Sequence, residues 1–352
     1  MKKYLLALFA VTLLIGCKCE KKKEILDFVN PLIGTDGHGH TFPGAAYPFG
    51  MVQLSPDTGL EGWDWCSGYH YSDASIIGFS HTHLSGTGRS DLMDVMIMPM
   101  VGDIKWQAGT KENPDMGYRS RFSHDEEWAS PGYYKVKLQD YDVMAELTVS
   151  PHCGFHKYAF PNTGDAHIML DLSHHFDTDS LILNTLNVVD RNTITGERQT
   201  KGWGEIGEKY WSNQKLYFVM QTSEPFQKVK VKVEDDLVDV EKAVGKDVKA
   251  VLDFGASENK TIKVKVGISA VSVENAKQNL EKEIPGWDFD QVLADTRSVW
   301  NKELSKIKID ATDSVSTVFY TALYHSLLAP YLYSDVNGEY RGFDGKTHKA
   351  EG

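Results

Sequence analysis

From Asp27 to about Ser272 the apolar residues of this chain come in short runs, several of them at the two-residue period of a strand, with no helices interleaved. Residues 95–100, 132–138, 144–149, 156–160, 167–172, 216–221, 227–233, 248–254 and 261–271 all read as strands. Turn-forming groups such as Pro161-Asn162-Thr163-Gly164 and Ser257-Glu258-Asn259 separate them. Lys228 to Val233 alternates strictly, which places one face against a core and the other in water. Many short strands without crossover helices predict a β-sandwich rather than a βαβ sheet.

The period changes after Glu274. Phe289, Val292, Leu293, Val299, Trp300 and Leu304 recur at helical spacing, and so do Val315, Val318, Phe319, Ala322 and Leu323. Pro285-Gly286 interrupts the chain before the first set, and Asp288 or Asp313 suits a helix start. A length of 352 residues is long for one domain, in keeping with a mainly β body and an extension. The division is a leader over 1–19, a sandwich over 20–272, a helical linker over 273–307 and the start of a further helical domain over 308–352. Because only one or two helices are made before the polar Glu351-Gly352, the chain reads as an incomplete copy of a larger protein.

The leader has Lys2 and Lys3 followed by an apolar run from Tyr4 to Ile15. That run is shorter than the ~20 residues a spanning helix needs. Leu14-Ile15-Gly16-Cys17 resembles the lipobox of bacterial lipoproteins, which implies cleavage before Cys17 and acylation of its thiol. The expected location is the cell envelope, lipid-anchored, in the periplasm or at the cell surface, with Lys21 to Lys23 in a charged tether. The net charge of −12 argues against nucleic acid as a partner, since phosphate binding needs clustered Lys and Arg. Cys66 and Cys153 are not expected to pair, because one lies in a Trp-rich motif and the other in a distant strand-turn.

Residues 30–100 hold five of the thirteen His, namely His38, His40, His70, His81 and His83, with Trp63, Trp65 and many Gly. This stretch reads as too polar and Gly-rich to be mainly core, and as the floor of a binding site. Trp63, Asp64, Trp65 and Cys66 offer ring faces and a carboxylate, which suit the apolar face and the hydroxyl edge of a sugar. His81 and His83 would share a face if they lie on a strand, but no third ligand follows at a convincing spacing, so structural or hydroxyl-binding roles are expected rather than zinc. Asp91 and Asp94 read as turn and cap residues. Arg341 and Asp344 offer a guanidinium fork and a carboxylate for vicinal hydroxyls.

NPLIGTDGHGHTFPGAAYPFGMVQLSPDT from Asn30, CSGYHY from Cys66, GFSHTHLSGTG from Gly78 and YRGFDG from Tyr340 occur in one order. Together they resemble the N-terminal part of family-92 glycoside hydrolases, the bacterial calcium-dependent exo-acting α-mannosidases. The resemblance implies a sandwich (supersandwich), a helical linker and the first helices of an (α/α)6 barrel, with the active site between sandwich and barrel. It implies removal of terminal α-linked mannose from glycans with inversion, calcium helping to distort the mannose. It also places Phe42 and the Gly-rich backbone at the edge of the sugar pocket. The acid, the base and most calcium ligands belong to the barrel in that family, so they are expected beyond residue 352 and no residue here is assigned as catalytic or metal-binding. A rival of another class is a carbohydrate-binding sandwich lipoprotein without chemistry, using Trp63, Trp65 and the histidines; the remaining coding sequence would discriminate the two.

Overall fold

The computed structural model describes residues 23–89, 92–162, 164–202, 214–256 and 260–351. The leader with Cys17 and Cys19, Asp91, Thr163 and the Ser257-Glu258-Asn259 turn lie outside the described residues. Among the described residues no helix is long and apolar enough to cross a membrane.

Two antiparallel sheets of eight and nine strands form the body, counted over the described residues. The first runs in the order Ala45–Ala46, Gln53–Asp57, Gly78–Ser80, Met96–Val101, Asp165–Asp171, Val248–Ala256, Lys228–Val233 and Asp236–Val238. The second runs Lys242–Gly245, Ser180–Val188, Thr193–Lys201, Gln214–Thr222, Thr261–Ser269, Cys153–Ala159, Val143–Val149, Tyr133–Leu138 and Glu127–Ser130. Their inner faces share one apolar core, to which Met98, Met169, Val251, Tyr134, Leu147 and Val264 contribute. Tyr133–Leu138 buries every second residue, as its alternation predicts. Asp165–Asp171 is central and buried almost throughout, which explains its continuous apolar run.

Two long strands, Ser180–Val188 and Thr193–Lys201, were not legible as strands. Their side chains do alternate in burial, but the inward positions include Asn184, Arg198 and Thr200, so the pattern is not apolar against polar. The expectation that residues 30–100 are too polar for core is also corrected. Phe42, Ala45, Val52 and Leu54 have no exposed surface, and neither do Ser55, Asp57 and Ser80, where hydrogen bonds make the burial of polar groups tolerable. Gly44 is needed for it: a Cβ there would stand 2.3 Å from the Leu54 carbonyl oxygen.

Helix α1, Val273–Glu283, starts at Ser272, whose hydroxyl accepts the Asn275 N–H. Its Ala276 and Leu280 cover Cys153, Phe155 and Val219 on the outer face of the nine-stranded sheet. Lys265 reaches its C-terminal end, donating to the Ile284 carbonyl at 2.9 Å with its ammonium 4.3 Å from the Trp287 ring centroid. Helix α2, Phe289–Leu304, is capped by Asp288. Helix α3, Asp313–Ser326, is capped by Thr312, while Asp313 instead pairs with Lys23 at 2.8 Å. Trp300 and Leu304 of α2 and Tyr320 and Tyr324 of α3 pack with Leu26, Val29, Phe42 and Ala46 in a second core. Helices α2 and α3 therefore dock on the underside of the opening Gly-rich stretch.

Candidate functional site

Three loops of that stretch reach the surface together: residues 36–40, the short 3-10 turn Trp63–Trp65, and residues 84–89. Trp63 is 58% exposed, and its indole N–H donates to the Gly88 carbonyl at 3.0 Å. His38 stands 5.1 Å from the Trp63 ring, centroid to centroid, and its Nδ1 lies 2.6 Å from Asp64 Oδ1. His40 meets the same indole edge-on at 4.3 Å. Gly88, at φ +59°, closes the back of this group, and a Cβ there would stand 3.2 Å from both His40 Nδ1 and Trp63 Nε1. The hydrogen bond from His38 holds the Asp64 carboxyl below its usual range, so it is an acceptor and not a proton donor.

Trp65 does not share this face. The 3-10 turn sends it away from Trp63, where its indole N–H donates to Asp73 Oδ2 at 2.6 Å. Lys111 pairs with Asp73 at 3.0 Å and caps the Trp65 ring at 3.6 Å from its centroid. The His70 ring stands 5.0 Å from that of Trp65, centroid to centroid, and its Nε2 lies 3.2 Å from the Gly37 carbonyl oxygen, tying the His38 loop to Trp65. A surface groove of about 410 Å³ opens behind, lined in part by Asp73, Lys111 and Arg121. Its Arg121 is already engaged by Asp115 and Asp140. Cys66 follows in the same turn but is buried, and both Cys66 and Cys153 are free thiols.

Beneath the platform lies a buried polar network. His81 and His83 do not share a face, since the strand Gly78–Ser80 ends before them. His81 turns toward the opposite sheet, its Nε2 3.0 Å from His156 Nε2. His83 turns to Asp57, 2.8 Å away, whose other oxygen meets His174 at 2.9 Å. Burial alone would raise the Asp57 carboxyl, but the His83 and His174 rings overcome it and hold the group well below the usual carboxylate range. Asp94 is not a turn or cap residue: it is buried against Arg198 and accepts from Thr82 at 2.7 Å. Arg198 also donates to the His174 carbonyl at 2.5 Å, which joins the two anions into one framework. His81, His83 and Phe42 are buried and lie beneath the surface loops as their support.

Arg341 and Asp344 occupy a separate hairpin, Glu339–Arg341 paired with Thr347–Lys349. Asp344 lies 2.9 Å from His348 Nε2, and Phe343 at the tip is fully exposed. The segment leading to the hairpin is tied to the platform's base, for Tyr331 donates to the His83 carbonyl at 3.3 Å and the Leu332 N–H to that of Phe49 at 2.7 Å.

The family model described as "Glycosyl hydrolase family 92 N-terminal domain" matches residues 28–269. The chain belongs to glycosyl hydrolase family 92. The corresponding catalytic-domain model matches residues 275–352. A family-92 α-mannosidase of Bacteroides thetaiotaomicron, solved in complex with mannoimidazole, is 39% identical with a TM-score of 0.89, over 94% of this chain and 43% of that one. A second structure from that organism, a family-92 inverting mannosidase, is 25% identical with a TM-score of 0.78, over 94% of this chain and 44% of its own. A curated protein described as an uncharacterized secreted glycosidase, from Arthroderma benhamiae, is 28% identical over 347 residues, 89% of this chain and 43% of its own length. The family-92 chain thus spans less than half the length of these relatives.

Trp63 and Asp64 of this family-92 chain, expected as sugar contacts, stand together at the surface with partners that their sequence does not signal. His38 and His40 were only counted among the histidines, and Lys111 carried no signal, being 46 positions beyond the Trp65 it caps. Calcium would need about six to eight oxygen ligands. Among the described residues no three His, Cys, Asp or Glu stand together as a metal site. The buried carboxylates Asp171 and Asp335 are held by protein donors, Tyr118 at 2.8 Å and Asn279 at 2.7 Å.

Proposed function

We propose that the complete gene product is an exported exo-α-mannosidase and that this chain supplies the sandwich side of its sugar pocket. The observation that carries the reading is the exposed Trp63 beside an ionised Asp64. An open indole face takes the apolar C–H face of a sugar, and a carboxylate accepts its hydroxyls. The similarity to a mannosidase solved with mannoimidazole supports a mannoside as the sugar.

The proposed reaction is removal of terminal α-linked mannose with inversion. An inverting acid and base stand ~6.5–9.5 Å apart across the sugar. Those carboxylates and most of the calcium ligands are assigned to residues following 352, in keeping with the greater length of the relatives. The residues of this chain bind and orient. Export and a lipid anchor at Cys17 belong to the same proposal, supported by the lipobox-like leader and by a relative described as secreted.

The complete product should release mannose from α-mannobiosides, lose that activity in EDTA and regain it with calcium. It should partition into detergent unless Cys17 is changed to Ser. The 352-residue chain alone should bind without turnover. Mannose release by that chain would place the acid and base within it. A complete product that binds mannan but cleaves no α-mannoside would instead be the anchored binding sandwich.

A further inference from the structure

The Trp63–Asp64 platform is partly engaged by the protein itself, at one oxygen of the carboxylate and along the edge of the ring. Asp64 Oδ1 is approached by two imidazoles, His38 Nδ1 at 2.6 Å and His40 Nε2 at 3.7 Å. The two rings differ in setting, the His38 side chain being 72% exposed and that of His40 5%. His38 stands beside the Trp63 ring and on the carboxylate at once, the two features a sugar would use.

His40 is held in place on several sides. Its backbone sits at φ +53°, its carbonyl accepts the Gly86 N–H at 2.6 Å, and Trp63 and Gly88 confine its ring. Its Nε2 is buried without a hydrogen-bond partner. Such nitrogens are uncommon in folded proteins, and the one carboxylate aimed at this one stops roughly an ångström beyond a normal N–H···O distance. A small turn of Asp64 toward His40 would supply the missing acceptor and release His38.

We propose that His38 is a self-ligand gating the sugar platform, and that His40 is the positioning residue to which Asp64 turns when a sugar hydroxyl takes the place of His38. In the open arrangement Asp64 Oδ1 accepts from His40 Nε2–H, and its other oxygen accepts from the sugar. The inference rests on the mannoside reading for its substrate, but its structural half does not.

The crystal structure of the His38→Ala chain tests that half. Asp64 should close to within about 3.2 Å of His40 Nε2, the outer limit of such a bond. A carboxylate that keeps its present separation overturns the proposal whatever the enzyme cleaves. In the complete gene product, assayed on an α-mannobioside, His38→Ala should lower KM severalfold with little change in kcat. His40→Ala should raise KM about tenfold, and His40→Gln, which keeps a donor there, should recover most of it. A rise in KM for His38→Ala would make His38 a direct sugar contact and sink the gate. Equal KM values for His40→Ala and His40→Gln would reduce His40 to packing. Absence of mannosidase activity would fail the function reading alone, leaving the structural outcome to decide the gate.

Discussion

Asp57 and Trp63 lie six positions apart and set opposite limits on change. Asp57 is fully buried between His83 and His174, so Asp57→Asn removes the charge that both rings were arranged around. Losing two hydrogen bonds to a buried carboxylate costs on the order of 3 kcal/mol. Trp63 is 58% exposed and covers no core, so Trp63→Ala should leave stability within about 0.5 kcal/mol. Its effect should fall on mannoside affinity, about tenfold for loss of an aromatic face. Urea titration beside calorimetric binding separates the two; a Trp63→Ala chain that unfolds early would make that ring structural. Both residues sit in the same Gly-rich motif, and composition could not tell them apart. Trp63 and Asp64 could be proposed as sugar contacts from residue type alone, and the fold leaves Trp63 exposed beside the Asp64 carboxylate. His81, His83 and Phe42 stand in the same motif, and only the partners that bury them reveal their role, His156 for His81, Asp57 for His83, and Trp300 with Tyr324 for Phe42.

Strand and helix boundaries were legible wherever one face is apolar. Tyr133–Leu138 and Val143–Val149 follow that rule, and α2 buries Phe289, Trp300 and Leu304 as its period predicts. Legibility failed where an element faces a polar core or a partner beyond its own segment. Thr193–Lys201 points Arg198 inward, and α3 leaves Val315 and Val318 exposed while burying Tyr320 and Tyr324. The joint between helices and sandwich rests on Trp300, which has no exposed surface and donates from Nε1 to the Ala46 carbonyl at 2.7 Å. Trp300→Ala should cost about 3–5 kcal/mol, since a large cavity opens and the carbonyl loses its donor. Hydrogen exchange should then rise in α2, α3 and residues 40–50 together, because they share one core. Exchange confined to α2 would show that the helices do not brace the opening stretch.

At the scale of the whole molecule, the two sheets are stitched by a chain of neutral rings. Tyr158 donates to His156 Nδ1 at 2.7 Å, His156 Nε2 lies 3.0 Å from His81 Nε2, and His81 Nδ1 lies 2.7 Å from the Val95 carbonyl oxygen. Each ring then has one hydrogen to give and one lone pair to fill, which holds only while both are uncharged. Burial pushes His81 down to about 4 and His156 well below the usual histidine range, with His81 adding to the second shift. Unfolded histidines titrate near ~6.5. Between about 6.5 and about 4 the unfolded chain therefore binds protons that the native chain refuses, and stability falls as the pH falls. For His81 the loss is on the order of 3 kcal/mol across that window. His152 works the other way: burial opposes its charged form, but Glu283 outweighs that and raises it, so its contribution is present at acid pH and fades as the pH rises. One such pair offsets only part of two excluded protons. Urea midpoints should fall steadily from pH 7 to pH 4.5, and His156→Gln, which removes one titrating ring, should flatten the slope. A profile level across that range, or one that His156→Gln leaves unchanged, would mean that the rings between the sheets do not set the acid limit of this fold.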